Sequence, residues 1–96
     1  MPSIACQILT VRKPANIVAI DMIMSTNDCD EPCDTTVTIT WKDIGSRTGT
    51  VTPGIVVNGV TTPGTPITLA KDATATQTFN LTGLTENDYN ICPYPN

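Results

Sequence analysis

Apolar and polar residues alternate through residues 35–60, the most regular stretch of the chain. Across residues 36–41 every second residue is threonine, and the residues between them are Val37, Ile39 and Trp41. A period of two is typical of a strand that buries one face. The pattern therefore predicts a central strand whose apolar side chains face a core.

The same alternation returns after a loop that contains Gly45 and Gly49, and it ends at Asn58 and Gly59. An Asn-Gly pair between apolar residues favours a type I′ turn, because both central residues of that turn need a positive φ. We therefore predict a hairpin that turns at this pair. The inward positions of its first strand are Val51, Pro53, Ile55 and Val57.

Shorter apolar runs on both sides of this region complete the set of predicted strands. They cover residues 4–11, 17–24, 67–69, 74–81 and 89–93, separated by polar or turn-rich segments. Pro14 ends the first run, because proline has no N–H to donate to a ladder. About seven short strands without helical periodicity predict an all-β fold, specifically an immunoglobulin-like antiparallel β-sandwich.

The chain of 96 residues is long enough for one domain with a modest core. We predict a single domain over residues 1–96, with an N-terminal strand in residues 1–13. Pairing of that strand within its own domain is favoured, because most strands pair with neighbours in the same chain. Pairing with a neighbouring molecule is the alternative.

The charge pattern argues against two classes of partner. The net charge is -4 and the five basic residues are spread along the sequence, so no run of them could neutralise a nucleic acid backbone. No apolar run approaches the roughly 20 residues of a membrane-spanning helix. We expect a soluble chain whose partners are proteins, cell-surface components or copies of itself.

Four cysteines in so short a chain indicate an oxidising compartment, and hence an extracellular or cell-surface location. We predict two disulfides, Cys29 with Cys33 across a short loop and Cys6 with Cys92 between the chain ends. The second bond would close a long loop and is worth about 4 kcal/mol by the chain-entropy argument. Four reduced thiols are the first alternative, and a four-thiolate zinc site is a weaker one because only one short Cys pair occurs.

The residues that carry most catalysis are missing. Histidine is absent, and no serine-nucleophile, phosphate-loop or dinucleotide motif occurs. We predict no enzymatic activity and no cofactor. One acidic loop offers weak calcium ligands, although its spacing is unlike an EF-hand and a solvated loop is the favoured interpretation: Asp28, Asp30, Glu31 and Asp34. Asn80 begins an N-glycosylation sequon on the outward face of its strand.

Three consecutive segments resemble the CARDB-type (cell-adhesion-related) domains among the immunoglobulin-like sandwiches. They read TVTITW, TVTPGIVVNG and ITLAKDATATQTFNL, and the resemblance is best over residues 37–79. Asp72 departs from the family pattern, which commonly has Gly there. The resemblance implies a structural or adhesive module of a cell surface, with adhesion through loops such as residues 25–34 or 42–48.

The resemblance extends to the end of the chain with two further implications. Tyr89 is similar to the corner tyrosine of fibronectin type III domains, whose hydroxyl bonds to the backbone. CARDB domains also carry another strand after this tyrosine, and the place is left either for residues 4–11 or for an open edge. An open edge favours the alternative function, a self-assembling subunit of an extracellular filament or virion surface that uses strand donation.

Overall fold

The structure is a computed structural model that describes residues 5–9, 11, 15–26 and 28–95. All regular structure in these residues is β-strand, which confirms the predicted all-β class. The strands are β1 (Ile17–Met24), β2 (Cys33–Asp43), β3 (Gly49–Val51), β4 (Gly54–Val57), β5 (Val60–Pro63), β6 (Ile67–Leu69), β7 (Thr74–Leu84) and β8 (Ile91–Tyr94).

The strands form three antiparallel sheets. The first has the order β1-β2-β7, the second is the pair β3-β6, and the third has the order β5-β4-β8. β2 and β7 are each 11 residues long and form the longest ladder. The three sheets contribute side chains to one apolar cluster: Ile17, Val37, Ile39, Trp41, Ile55 and Leu69.

The alternation predicted for the central strand is confirmed. Val37, Ile39 and Trp41 are 0% exposed, whereas the threonines between them are partly exposed. Full burial of each such side chain contributes roughly 1.5–3 kcal/mol. The strand continues as far as Asp43, beyond the apolar residues that predicted it.

Trp41 forms the centre of this core. Its ring meets the Phe79 ring edge to face, with centroids 6.4 Å apart and an interplanar angle of 79°, a preferred geometry for aromatic pairs. The indole Nε1–H donates to the backbone oxygen of Pro95 at 3.0 Å. The core tryptophan therefore also holds the C-terminal segment.

The predicted Asn-Gly turn is present. Asn58 and Gly59 have φ values of 49° and 82°, and Val57 pairs with Val60 across them. Positive φ at both positions is what a type I′ turn requires.

Pro53 divides what the alternation predicted as one strand. Val51 ends β3, which pairs with β6, and Ile55 lies in β4, which pairs with β5 and β8. Proline cannot donate to a ladder, so the chain changes sheets at this residue. Pro53 itself is buried. The structure consequently has eight strands in its described part where about seven were predicted.

The prediction that residues 4–11 fold back as a strand is wrong for the described residues. Residues 5–9 and 11 belong to no strand and are exposed, and we call them the N-terminal arm; residues 4 and 10 lie outside the described part. The Cα radius of gyration is 19.0 Å, against about 12.5 Å for a compact domain of this length. The longest dimension is 77 Å, about twice the ~37 Å of an 11-residue strand.

Candidate functional site

The N-terminal arm exposes its apolar side chains almost completely. Ile8, Leu9 and Val11 are 94%, 86% and 83% exposed. Three neighbouring apolar residues in water forgo several kcal/mol of available burial free energy. An exposed patch of this kind marks an interaction surface more often than an isolated apolar residue does.

A clamp fixes the position where the N-terminal segment joins the domain. The backbone N–H of Asn16 donates to Asp43 Oδ1 at 3.1 Å, and the Ile44 N–H donates to the Asn16 carbonyl at 2.9 Å. Gly45 allows this close approach, because a Cβ there would lie 2.7 Å from the Asn16 nitrogen. Residues preceding β1 are therefore held at one end of the domain, which we call the arm end.

Asp43 is the key residue of this clamp, and the sequence reasoning missed it. Its side chain is 0% exposed, and its Oδ1 accepts a second bond from the Gly45 N–H at 2.8 Å. Its Oδ2 is buried and has no hydrogen-bond partner among the described residues. The signal was available, because Asp43 occupies an inward position in the phase set by Val37, Ile39 and Trp41.

The outer edge of β8 is open in the described structure. β8 pairs with β4, and its other side has no strand among residues 5–9, 11, 15–26 and 28–95. Asn90 exchanges bonds with Asn58 on the β4 side, at 2.9 Å through its carbonyl and 2.7 Å through its N–H. Backbone groups of successive strand residues point to opposite sides. Ile91 thus directs its N–H and C=O to the open edge, and Pro93 directs only its C=O there, because proline has no N–H.

The opposite end of the domain, which we call the acidic end, holds a cavity of about 560 Å³. It lies between loop 25–34 and the turn that joins β7 to β8. Part of its wall is apolar, formed by Met24, Leu84 and Ile91. The remainder includes five carboxylates: Asp28, Asp30, Glu31, Glu86 and Asp88.

Most acidic residues of the described part lie at the acidic end, and its basic residues lie at the arm end together with Asp43 and Asp72. The basic residues of the described part gather at the arm end, on the end of β2 and on the two loops beside it: Lys42, Arg47 and Lys71. The other two, Arg12 and Lys13, lie outside the described residues and precede β1 in the sequence. The antiparallel strands therefore bring Lys42, Arg47 and Lys71 to one end, although they lie far apart in the sequence.

The weak calcium ligands do not form a cation site in the described structure. Glu31 Oε2 accepts the Glu86 N–H at 2.7 Å, and Asp34 Oδ1 accepts the Gly83 N–H at 2.8 Å. Glu31 thereby ties the acidic loop to the β7–β8 turn, and Asp34 ties the start of β2 to the end of β7. No group of three metal-binding side chains occurs among the described residues.

The cysteines agree with only one of the two predicted bonds. Cys29 and Cys33 form a disulfide with their Cα atoms 5.9 Å apart. Cys6 and Cys92 are free, so the prediction of a Cys6–Cys92 bond within the chain is wrong for this structure. The physical reason is the arm, which carries Cys6 exposed and unpaired instead of returning it to β8.

Two other predicted residues lie where the sequence placed them. The Tyr89 hydroxyl donates to the Thr85 carbonyl at 3.0 Å, the backbone bond expected of a corner tyrosine. Asn80 is exposed on β7, on the same outward face as Thr76 and Thr78. The latter two hydroxyls bond across the ladder to Thr40 and Thr38 at 3.0 and 3.1 Å.

Comparisons with known protein families, with curated proteins and with solved structures give no match. The described residues contain no helix long and apolar enough to cross a membrane. The Cys29–Cys33 disulfide is typical of an oxidising environment. In its described residues the molecule is therefore an all-β protein with an unpaired apolar arm and an open sheet edge.

Proposed function

We propose that this protein is a non-enzymatic, self-assembling structural subunit of an extracellular filament or virion surface. The arm of one copy adds a strand to the open edge of β8 in the next copy. The observation that supports this proposal is the combination of an exposed apolar arm with an unpaired strand edge in the same chain. Alone, the arm exposes apolar side chains to water and the β8 edge leaves backbone N–H and C=O groups unpaired. When two copies meet, the arm pairs with these groups and its apolar side chains are buried.

The geometry of the two ends favours a head-to-tail arrangement. Asn16 is held at the arm end, where β1 begins, so the chain enters the domain at the end opposite the acidic end. In a neighbour of the same orientation, such an arm runs antiparallel to β8, because β8 begins at the acidic end. Antiparallel pairing is also the arrangement of each strand pair among the described residues.

Charge favours the same arrangement. Arg12 and Lys13 follow the arm in the sequence, and an antiparallel arm carries them toward the acidic end of the accepting copy. The carboxylates at that end include Glu86 and Asp88. Opposite charges at an interface select orientation and suppress the reverse docking.

The proposed assembly also accounts for the fold. We propose that the orders β1-β2-β7 and β5-β4-β8 represent an incomplete immunoglobulin-like sandwich in which β8 takes the place of strand F. No described strand takes the place of strand G beside it. In the proposed filament, the arm of a neighbouring copy supplies that strand, and the CARDB-like sandwich expected from the sequence is completed between two chains.

The direct test is Leu9→Asp, compared with Val60→Asp in the full-length chain. Leu9 is 86% exposed and Val60 is 69% exposed, so neither change should alter the folding of the isolated domain. Loss of one buried leucine costs about 2 kcal/mol, so Leu9→Asp should raise the concentration needed for assembly about 30-fold or more. Sedimentation and electron microscopy measure this concentration. Equal assembly of both variants would contradict the proposal.

A second candidate function is a monomeric adhesive module of a cell surface. The cavity at the acidic end favours it, because loop 25–34 lines a concave space that could hold a ligand group. This function requires no self-association. A chain that stays monomeric at all accessible concentrations supports it over the filament.

A further inference from the structure

We infer that Cys6 of one copy and Cys92 of the next form a disulfide that locks the donated strand in a single register. The inference rests on the proposed strand donation and adds a covalent bond to it. Both thiols are free in the isolated chain. One lies on the donating segment and the other on the accepting strand.

The backbone directions of β8 identify Cys92 as a suitable partner. Val56 and Cys92 are opposite each other in the β4–β8 ladder. The N–H and C=O of Asn90, two residues before Cys92, point to the β4 side. Cys92 therefore directs its N–H and C=O to β4 and none to the open edge. Toward an incoming antiparallel strand it occupies a non-hydrogen-bonded position.

Such a position has the right dimensions for a disulfide. Residues opposite each other in a non-hydrogen-bonded antiparallel pair have Cα atoms about 4.5 Å apart. Disulfides accept Cα separations of roughly 4.4–6.8 Å. Directly opposed side chains also lie on the same face of a sheet, so the sulfur atoms of Cys6 and Cys92 meet without a change in either backbone.

The same register places two apolar residues of the arm on the inward face. With Cys6 opposite Cys92, Gln7 is opposite Ile91 and exchanges backbone bonds with it at the open edge. Leu9 and Val11 then face inward near the acidic-end cavity, whose apolar wall includes Leu84 and Ile91. Arg12, the next residue in the sequence, comes level with Glu86. Backbone geometry and the inward positions of Leu9 and Val11 support this alignment, in which Ile8 shares the outward face of Cys6.

Formation of the bond requires an external disulfide as oxidant, such as a small-molecule or protein disulfide of the oxidising compartment. The Cys6 thiolate attacks that disulfide and releases one thiolate, which leaves a mixed disulfide on Cys6. The Cys92 thiolate of the accepting copy then attacks the Cys6 sulfur and releases the second thiolate. Two protein thiols are oxidised and one external disulfide is reduced to two thiols.

The test uses full-length chains oxidised with glutathione disulfide and separated on a non-reducing gel. The wild-type protein should give a ladder with steps of one 10.2 kDa chain. Cys6→Ser and Cys92→Ser should each remain monomeric alone, and their equimolar mixture should stop at the dimer. A Cys29→Ser/Cys33→Ser chain is the matched control and should keep the ladder.

The competing outcomes are distinct. A dimer from Cys92→Ser alone would indicate a Cys6–Cys6 bond, and a wild-type monomer that has lost both free thiols without gaining the mass of glutathione would indicate a bond within the chain; either overturns the inference. Gln7→Pro should weaken assembly more than Ile8→Pro, because only the residue 7 N–H faces β8 in this register. Filaments without any ladder would refute the disulfide and leave strand donation intact, whereas absence of both would refute both proposals.

Discussion

Substitution of Asp43 should show how much the hydrogen bonds of the clamp at the arm end contribute to the stability of the fold. Asp43→Ala removes the acceptor of two backbone N–H groups, those of Asn16 and Gly45. A buried donor left without a partner costs about 1–3 kcal/mol. The two together predict a loss of about 3 kcal/mol in the free energy of unfolding.

The matched variant is Asp43→Asn. Its side-chain oxygen can still accept both bonds, and its amide nitrogen replaces Oδ2, which has no partner in the described structure. We expect Asp43→Asn to lie within about 1 kcal/mol of the wild-type protein.

Urea unfolding measures both variants, with the fluorescence of Trp41 as the probe. Trp41 is the single tryptophan of the chain and is fully buried, so its emission reports exposure of the core. With a slope of about 1.5 kcal/mol per molar urea, Asp43→Ala should lower the midpoint by about 2 M. Hydrogen exchange at the Asn16 and Gly45 amides should accelerate in the same variant. A loss below about 1 kcal/mol for Asp43→Ala would refute the clamp as a stabilising element.

Two further predictions concern the turn and the corner. Gly59→Val should lower the free energy of unfolding by about 1–2 kcal/mol, because φ at this position is 82° and a β-branched residue is strained there. Thermal unfolding followed by circular dichroism measures the loss, with Val60→Thr as the control. An unchanged transition would contradict the turn assignment. Tyr89→Phe should cost about 0.5–1 kcal/mol through loss of the hydroxyl bond to Thr85. Denaturant unfolding measures this loss, and a free energy of unfolding equal to that of the wild-type protein would contradict the role of Tyr89 as a corner tyrosine.

The parts of the fold that follow from local chemistry could be predicted from the sequence. Alternation gave the inward set of β2, since Val37, Ile39 and Trp41 can be buried together only in a strand. The Asn58-Gly59 pair gave the turn, because few other dipeptides accept positive φ twice. Pro53 was placed correctly on the inward face, but its effect on the ladder depends on which strands lie beside it.

The parts that depend on long-range geometry could not be predicted. An apolar run such as residues 4–11 has the same pattern whether it pairs within its own domain or with a neighbour. The sequence pattern therefore could not predict where the arm pairs. The Cys6–Cys92 bond was assigned on loop entropy, which assumes that the chain ends meet. Asp43 could have been recognised as a polar residue in an inward phase, but its partners Asn16 and Gly45 depend on the β1–β2 register.

The position of the arm makes the two ends of any chain of copies chemically different. One terminal subunit presents a free apolar arm, and the other presents a bare β8 edge. A copy with a damaged arm, such as Leu9→Asp, can still accept a strand but donates poorly. It would therefore cap growth at one end only, and trace amounts of it would shorten filaments in proportion to the number of ends rather than the number of subunits.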